Sequence, residues 1–197
     1  MTFSNMPYIS VIRSTVVALV GLSVFGCVSL QMPPPSSSAE TAEKLRAANL
    51  APAKTGSFLV AQGTNPDLDS KLGGLRGSSL TPTGGSFSQH LKEQIIADLK
   101  AAGLYDPNSG IVIDAQLTDS MVDAAIGTGV ARLAARFTVT RAGKREYDKQ
   151  LAVDAKWESS FVGAVAIPMA MNQYGALYKS LTAKLFDDAD FRKALKR

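Results

Sequence analysis

Val130-Ala-Arg-Leu-Ala-Ala-Arg-Phe-Thr-Val-Thr-Arg-Ala-Gly-Lys-Arg-Glu-Tyr-Asp-Lys-Gln-Leu-Ala-Val-Asp-Ala-Lys-Trp157 alternates apolar and polar residues on both sides of one Ala-Gly pair. Ala131, Leu133, Ala135, Phe137 and Val139 share one side of the first strand, and Arg132, Arg136, Thr138 and Thr140 share the other. In the second strand Tyr147, Leu151, Val153, Ala155 and Trp157 lie together, with Lys149 in the same register. A period of two with one apolar side marks an antiparallel sheet packed on one face and wet on the other. Parity then selects the pairing. A two-residue turn at Ala142-Gly143 sets Val139 opposite Glu146, apolar against charged. A three-residue loop, Ala142-Gly143-Lys144, pairs Val139 with Tyr147, Ala135 with Leu151 and Leu133 with Val153. It also brings Arg132 against Asp154 on the wet face, a favourable cross-strand pair. A slip of one residue inverts every side chain, so the odd-length loop is expected.

Upstream, Ile111 to Thr118 repeats the pattern, with Ile111, Ile113, Ala115 and Leu117 against Asp114, Gln116 and Thr118. Before it, Ser86-Phe-Ser-Gln89 fits a capping box. Phe87, Leu91, Ile95 and Leu99 follow at intervals of four, with Ile96 and Ala102 alongside, and Gly103 stands where a left-handed helix cap is wanted. Ser57 to Gln62 reads as a short strand, and Gly63 to Gly85, rich in glycine, as a long loop. Downstream, Pro168 suits the first turn of a helix whose stripe is Tyr174, Leu177, Tyr178, Leu181 and Leu185. Asp187-Asp188-Ala-Asp190 ends that helix and caps a short final one. The expected order is β-α-β-β-β-α, an α+β two-layer sandwich with helices on one face of a largely antiparallel sheet, spanning 57–197.

The whole chain has 197 residues, 46% hydrophobic and 19% charged. That suffices for one cored domain plus a tail and excludes a wholly disordered chain. The single cysteine, Cys27, excludes an intrachain disulfide and a multi-cysteine metal site. The net charge of +4 comes from basic residues scattered among acids, so nucleic-acid binding is not expected. The basic end, Arg192 to Arg197, reads as a solvated helix terminus.

Residues 1–26 carry one charge, Arg13, followed by an apolar run from Ser14 to Gly26 that stops at Cys27. A basic start, a short apolar stretch and a small residue before the break describe a secretory signal peptide, too short at about 20 Å to span a bilayer. Val24-Phe25-Gly26-Cys27 resembles a bacterial lipobox. The resemblance implies cleavage after Gly26 and acylation of Cys27, a membrane anchor that is effectively permanent. By the sorting rule of that class, Val28 rather than an aspartate implies the periplasmic face of the outer membrane. Gln31-Met-Pro-Pro-Pro-Ser-Ser-Ser38 then reads as an extended spacer. Ala39 to Leu50 is a short, marginal helix stopped by Pro52. Residues 27–56 are thus expected to form a tether that lifts the domain off the membrane.

Candidate chemistry is sparse. His90, the one histidine, is expected on the surface of the first domain helix, near Ser86 and Gln94. A hydrolase would need it to serve Ser86 or Ser88 as a base, and no acid is placed by the sequence to complete the set. Gly127-Thr-Gly129 lacks the rest of a dinucleotide fingerprint, and neither Asp67/Asp69 nor Asp187/Asp188/Asp190 has the pattern of a calcium loop. No metal or cofactor is expected. The eleven residues from Phe161 to Met171 hold no polar side chain. They read either as a buried loop and helix start or as a patch for a partner or a lipid surface, with Phe161, Val162, Val165, Ile167 and Met169 as its contact residues.

The element order and the stretch Trp157-Glu-Ser-Ser-Phe-Val-Gly-Ala-Val-Ala-Ile-Pro168 resemble uncharacterised proteobacterial lipoproteins. In outline the domain is also similar to accessory lipoproteins of envelope assembly and secretion, which bind protein or lipid partners. The resemblance implies a non-catalytic module with an envelope protein as partner. A lipid-anchored hydrolase using His90, and a lipid carrier, are the alternatives.

Overall fold

The computed structural model describes residues 29–197. The signal segment, the expected cleavage site after Gly26 and Cys27 lie outside the described residues. In chain order the elements are β1 (Ser29–Gln31), α1 (Ala39–Ala47), β2 (Lys54–Val60), β3 (Leu72–Leu75), β4 (Ser78–Thr81), α2 (Phe87–Ala102), β5 (Ile111–Asp123), β6 (Gly127–Arg141), β7 (Lys144–Ser159), α3 (Gly163–Asp187) and α4 (Ala189–Ala194).

The β6–β7 pairing has the register that parity demanded, Val139 with Tyr147, Ala135 with Leu151, Leu133 with Val153 and Arg132 with Asp154. The route to it differs. Arg141 pairs with Lys144, so the loop has two residues, and Ala142 and Gly143 take the positive φ values (50° and 79°) that a type I′ turn requires. The register shifts between Val139 and Thr140, which leaves Glu146 as the extra residue of a β-bulge. The bulge restores the parity that the short turn would have broken.

The main sheet runs β2-β5-β6-β7. It is antiparallel through β5, β6 and β7, but β2 lies parallel to β5. A parallel neighbour needs a crossover, and α2 lies between the two strands in sequence. Ser86 caps α2, accepting from the Gln89 amide at 3.1 Å, and Gly103 ends it at φ 72°. Gln89 does not complete the expected capping box, because its side-chain amide donates to the Phe58 carbonyl at 2.8 Å. Asp69 supplies the second cap, accepting from the Ser88 amide at 2.7 Å and from the Ser86 hydroxyl at 2.8 Å. Helices α2 and α3 cover one face of the sheet. Phe58, Phe87, Leu91, Ile95, Leu99, Ile113, Phe137, Val139, Tyr174, Tyr178 and Leu181 are fully buried in the core they share.

Two stretches expected to lack tertiary structure belong to the fold. Inside Gly63–Gly85, strands β3 and β4 pair antiparallel, and β1 joins β4 in parallel to make a second sheet of order β1-β4-β3. Leu72, Leu75 and Leu80 anchor it in the core. Residues 29–56, expected as a tether, lie against the domain: Met32, Leu45, Leu50 and Ala53 are buried. Helix α1 is marginal by itself. It is held by burial of Leu45, by the Ser38 cap and by a bond from the Arg46 guanidinium to the Ala101 carbonyl at 2.6 Å.

Candidate functional site

The segment from Phe161 to Met171 is neither a buried loop nor a helix start at Pro168. Helix α3 begins at Gly163, so Pro168 is interior to it. The missing proline N–H forfeits the bond to the Ala164 carbonyl, tolerable because Ala164 and Pro168 both face water. Small residues occupy the inward positions of these first turns, with Ala166 and Ala170 buried. The large ones point out: Phe161, Val162, Val165 and Met169 are 78%, 55%, 56% and 42% exposed. Ile167, the fifth expected contact residue, is half-buried and packs on the core instead.

Arg76 holds this end of the molecule together. It sits at φ 52° beside Gly77 at φ 88°, in the β3–β4 turn. Its guanidinium donates to the carbonyls of Ala124 (2.7 Å), Ser160 (2.5 Å) and Phe161 (2.8 Å), and to the Ser159 hydroxyl (3.2 Å). One side chain thereby fixes the β5–β6 loop, the end of β7 and the approach to α3. Sequence reading passed over this residue. The available signal was a lone arginine followed by glycine inside a glycine-rich stretch, a hairpin-turn pattern.

The residues that a hydrolase would use have other work. His90 is not on the surface: it is buried and packs edge-on against Tyr178, ring centroids 4.7 Å apart. Its Nδ1 has no hydrogen-bond partner, and burial pulls its pKa down from 6.5 to about 4. The Ser86 hydroxyl caps α2 and donates to Asp69, while the Ser88 hydroxyl, 3.0 Å from it, donates to the Phe58 carbonyl at 3.3 Å. Neither is hydrogen-bonded to His90.

Other polar groups serve the architecture. Ser120, Tyr174 and Tyr178 form a buried hydroxyl chain of 2.6 and 3.0 Å, and burial raises both tyrosine pKa values. Lys149, in the inward register of β7, reaches Asp188 and Asp190 at 2.8 and 3.1 Å, tying β7 to the start of α4. Asp188 also caps α4, accepting from the amides of Asp190 and Phe191. On the wet face Arg132 bridges Asp119 and Asp154, and Asp148 accepts from Arg136 and Arg145. The Arg136 hydrogen bond comes first in holding the Asp148 carboxyl below its usual range. These last residues line a shallow cleft of about 340 Å³ with Ser57, Leu59 and Thr138. The basic end is tied down: Arg197 donates to the Leu50 carbonyl at 3.1 Å, and Lys196 accepts from Arg141 at 2.8 Å. Among the described residues no group of three or more His, Cys, Asp or Glu side chains could hold a metal, and no helix is long and apolar enough to cross a membrane.

Fold and site together define a mixed α+β domain with two helices on a largely antiparallel sheet and one exposed apolar end. No family model and no curated protein matches the chain. Among solved structures it is similar to the protein XCC0632 of Xanthomonas campestris, with 11% identity and a TM-score of 0.48, covering 81% of this chain and 95% of that one. A minor lipoprotein of Acinetobacter baumannii overlaps at 12% identity and a TM-score of 0.45, covering 73% and 95%. A Caulobacter crescentus protein overlaps at 13% and 0.42, covering 79% and 94%.

Proposed function

We propose that this chain is a lipoprotein of the bacterial envelope, acylated on Cys27 after cleavage behind Gly26. It sits on the periplasmic face of the outer membrane and works as a non-catalytic binding or accessory module in envelope assembly or transport. The observation that carries this reading is a contrast within the domain. His90, Ser86 and Ser88 are absorbed into packing and helix capping. The exposed side of the first turns of α3, by contrast, presents only apolar groups. A monomeric domain keeps such a surface wet at a cost in free energy, so it marks a place of contact.

The test is recovery from membranes. Tagged at the C-terminus and extracted in mild detergent, the chain is expected to begin at an acylated Cys27 by mass and to bring down an envelope protein in stoichiometric amount. A chain that retains residues 1–26 unmodified and is recovered alone removes the reading. His90→Ala is expected to change no hydrolytic activity. An activity that disappears in this variant while the fold persists would favour the hydrolase instead.

A further inference from the structure

The exposed end of α3 and the start of the described chain lie at the same pole. Ser29 pairs with Ser79 in β4, next to the β3–β4 turn. From that turn Arg76 reaches the carbonyls of Ser160 and Phe161. A second path agrees. Beyond β1 the chain runs beside α3 and in the same direction: the Met32 Cε lies 3.9 Å from where a Cβ on Gly175 would stand, and the Ser36 hydroxyl accepts from Lys179 at 3.1 Å. Traced backwards, Ser29 therefore lies towards the first turns of the helix. Ile126, 63% exposed, joins this pole through the β5–β6 loop, whose Ala124 carbonyl Arg76 also holds.

Only Val28 stands between Ser29 and Cys27, two Cα steps with a reach of at most about 7 Å. This part of the argument rests on the lipid anchor proposed above. Acyl chains on Cys27 hold that residue at the headgroup level, and so short a connection brings the Ser29 pole to the bilayer surface. Apolar side chains at that pole then leave water without any further loss of translational freedom, because the anchor already supplies a high effective concentration.

We propose that Phe161, Val162, Val165 and Met169, with Ile126 beside them, dock in the interfacial zone of the bilayer that holds Cys27. The occupant of this surface is lipid, because the chain outside the described residues leads from this pole into the anchor. Asp123 and Glu158, exposed at the ends of β5 and β7, keep the contact shallow. The domain lies on the membrane instead of being lifted from it, and a protein partner meets the faces turned away from the lipid.

The test uses the full chain, expressed with its signal sequence and reconstituted into vesicles of phosphatidylethanolamine and phosphatidylglycerol, with or without bromine on the acyl chains. Phe161→Cys and Lys193→Cys each introduce a thiol for an environment-sensitive fluorophore. The second lies beyond α3, a helix about 37 Å long. Bromolipid is expected to quench the label at 161 by about twofold or more and to leave the label at 193 unchanged. Equal emission at 161 with and without bromine overturns the proposal. Adding Val162→Ser and Val165→Ser is expected to bring quenching at 161 down towards the level at 193; undiminished quenching assigns the signal to the dye and also overturns it. The N-terminal mass of the same sample tests the anchor separately. An acylated Cys27 without quenching rejects the docking surface alone. An unmodified Cys27 rejects the anchor, and Cys27→Ser is then added so that quenching at position 161 decides the docking by itself.

Discussion

The two halves of α3 follow opposite rules. From Tyr174 onward the large residues Tyr174, Leu177, Tyr178, Leu181 and Leu185 face inward and are buried, while Lys179, Ser180 and Lys184 face water. In the first turns the inward places belong to Ala166 and Ala170, and Val162, Val165 and Met169 face outward. One end is amphipathic in the usual sense and the other is inverted. Apolar content therefore says nothing about burial along this helix. The C-terminal half closes a core, and the N-terminal half leaves its large apolar side chains in water.

That contrast can be broken by mutation. Leu181→Ala, in the buried half, is expected to lower unfolding free energy by about 3 kcal/mol through lost transfer energy and the cavity left behind. Denaturant melts check this, and a loss below about 1 kcal/mol would erase the difference between the halves. The next effect is pH-dependent. His90 packs on Tyr178 of the same half, with a folded pKa of about 4 against 6.5 when unfolded. The unfolded chain therefore takes up the proton first as pH falls. The contribution is fully present above 6.5, declines between 6.5 and 4, and levels off below. Compared with His90→Phe, the native chain is expected to lose on the order of 2 kcal/mol more across that window. Parallel stability profiles would refute it.

Thr182→Val should cost less, about 1–2 kcal/mol, because it removes one of the two donors that satisfy the buried Asp98 carboxylate. A smaller cost still is expected at the inverted end. Val165→Ser should leave stability within about 0.5 kcal/mol of the native chain. A loss above about 2 kcal/mol in thermal or denaturant melts would show Val165 to be core, and the contrast between the halves would fall.

Much of the main sheet was legible in the sequence. Alternation from Val130 to Trp157 determined which residues pair, because parity is a counting rule that local chemistry obeys. The bulge at Glu146 was not legible: a two-residue turn with a bulge and a three-residue loop yield the same register. Helix α2 was legible because Ser86, the stripe from Phe87 and Gly103 agree with one another. His90 was misplaced because a position beside the stripe says nothing about whether a second helix covers it, and Tyr178 does. The glycine-rich strands β3 and β4 escaped notice because four-residue strands carry little periodicity and one of their partners lies about fifty residues away. At the candidate site the apolar run was visible, but which of its side chains face outward was not.

By itself the sequence determined the alternating hairpin, the capped helix, the second apolar stripe and, through its single cysteine, that no intrachain disulfide can form. These are local or countable properties, set by side-chain period and residue type. Only the tertiary structure decided that β2 lies parallel to β5, that residues 29–56 fold onto the domain and that Arg76 gathers three segments at one pole. It alone turned Val165 out and Ala166 in. Each of these depends on contacts between residues distant in the chain, whose free energy exists only once both partners are in place.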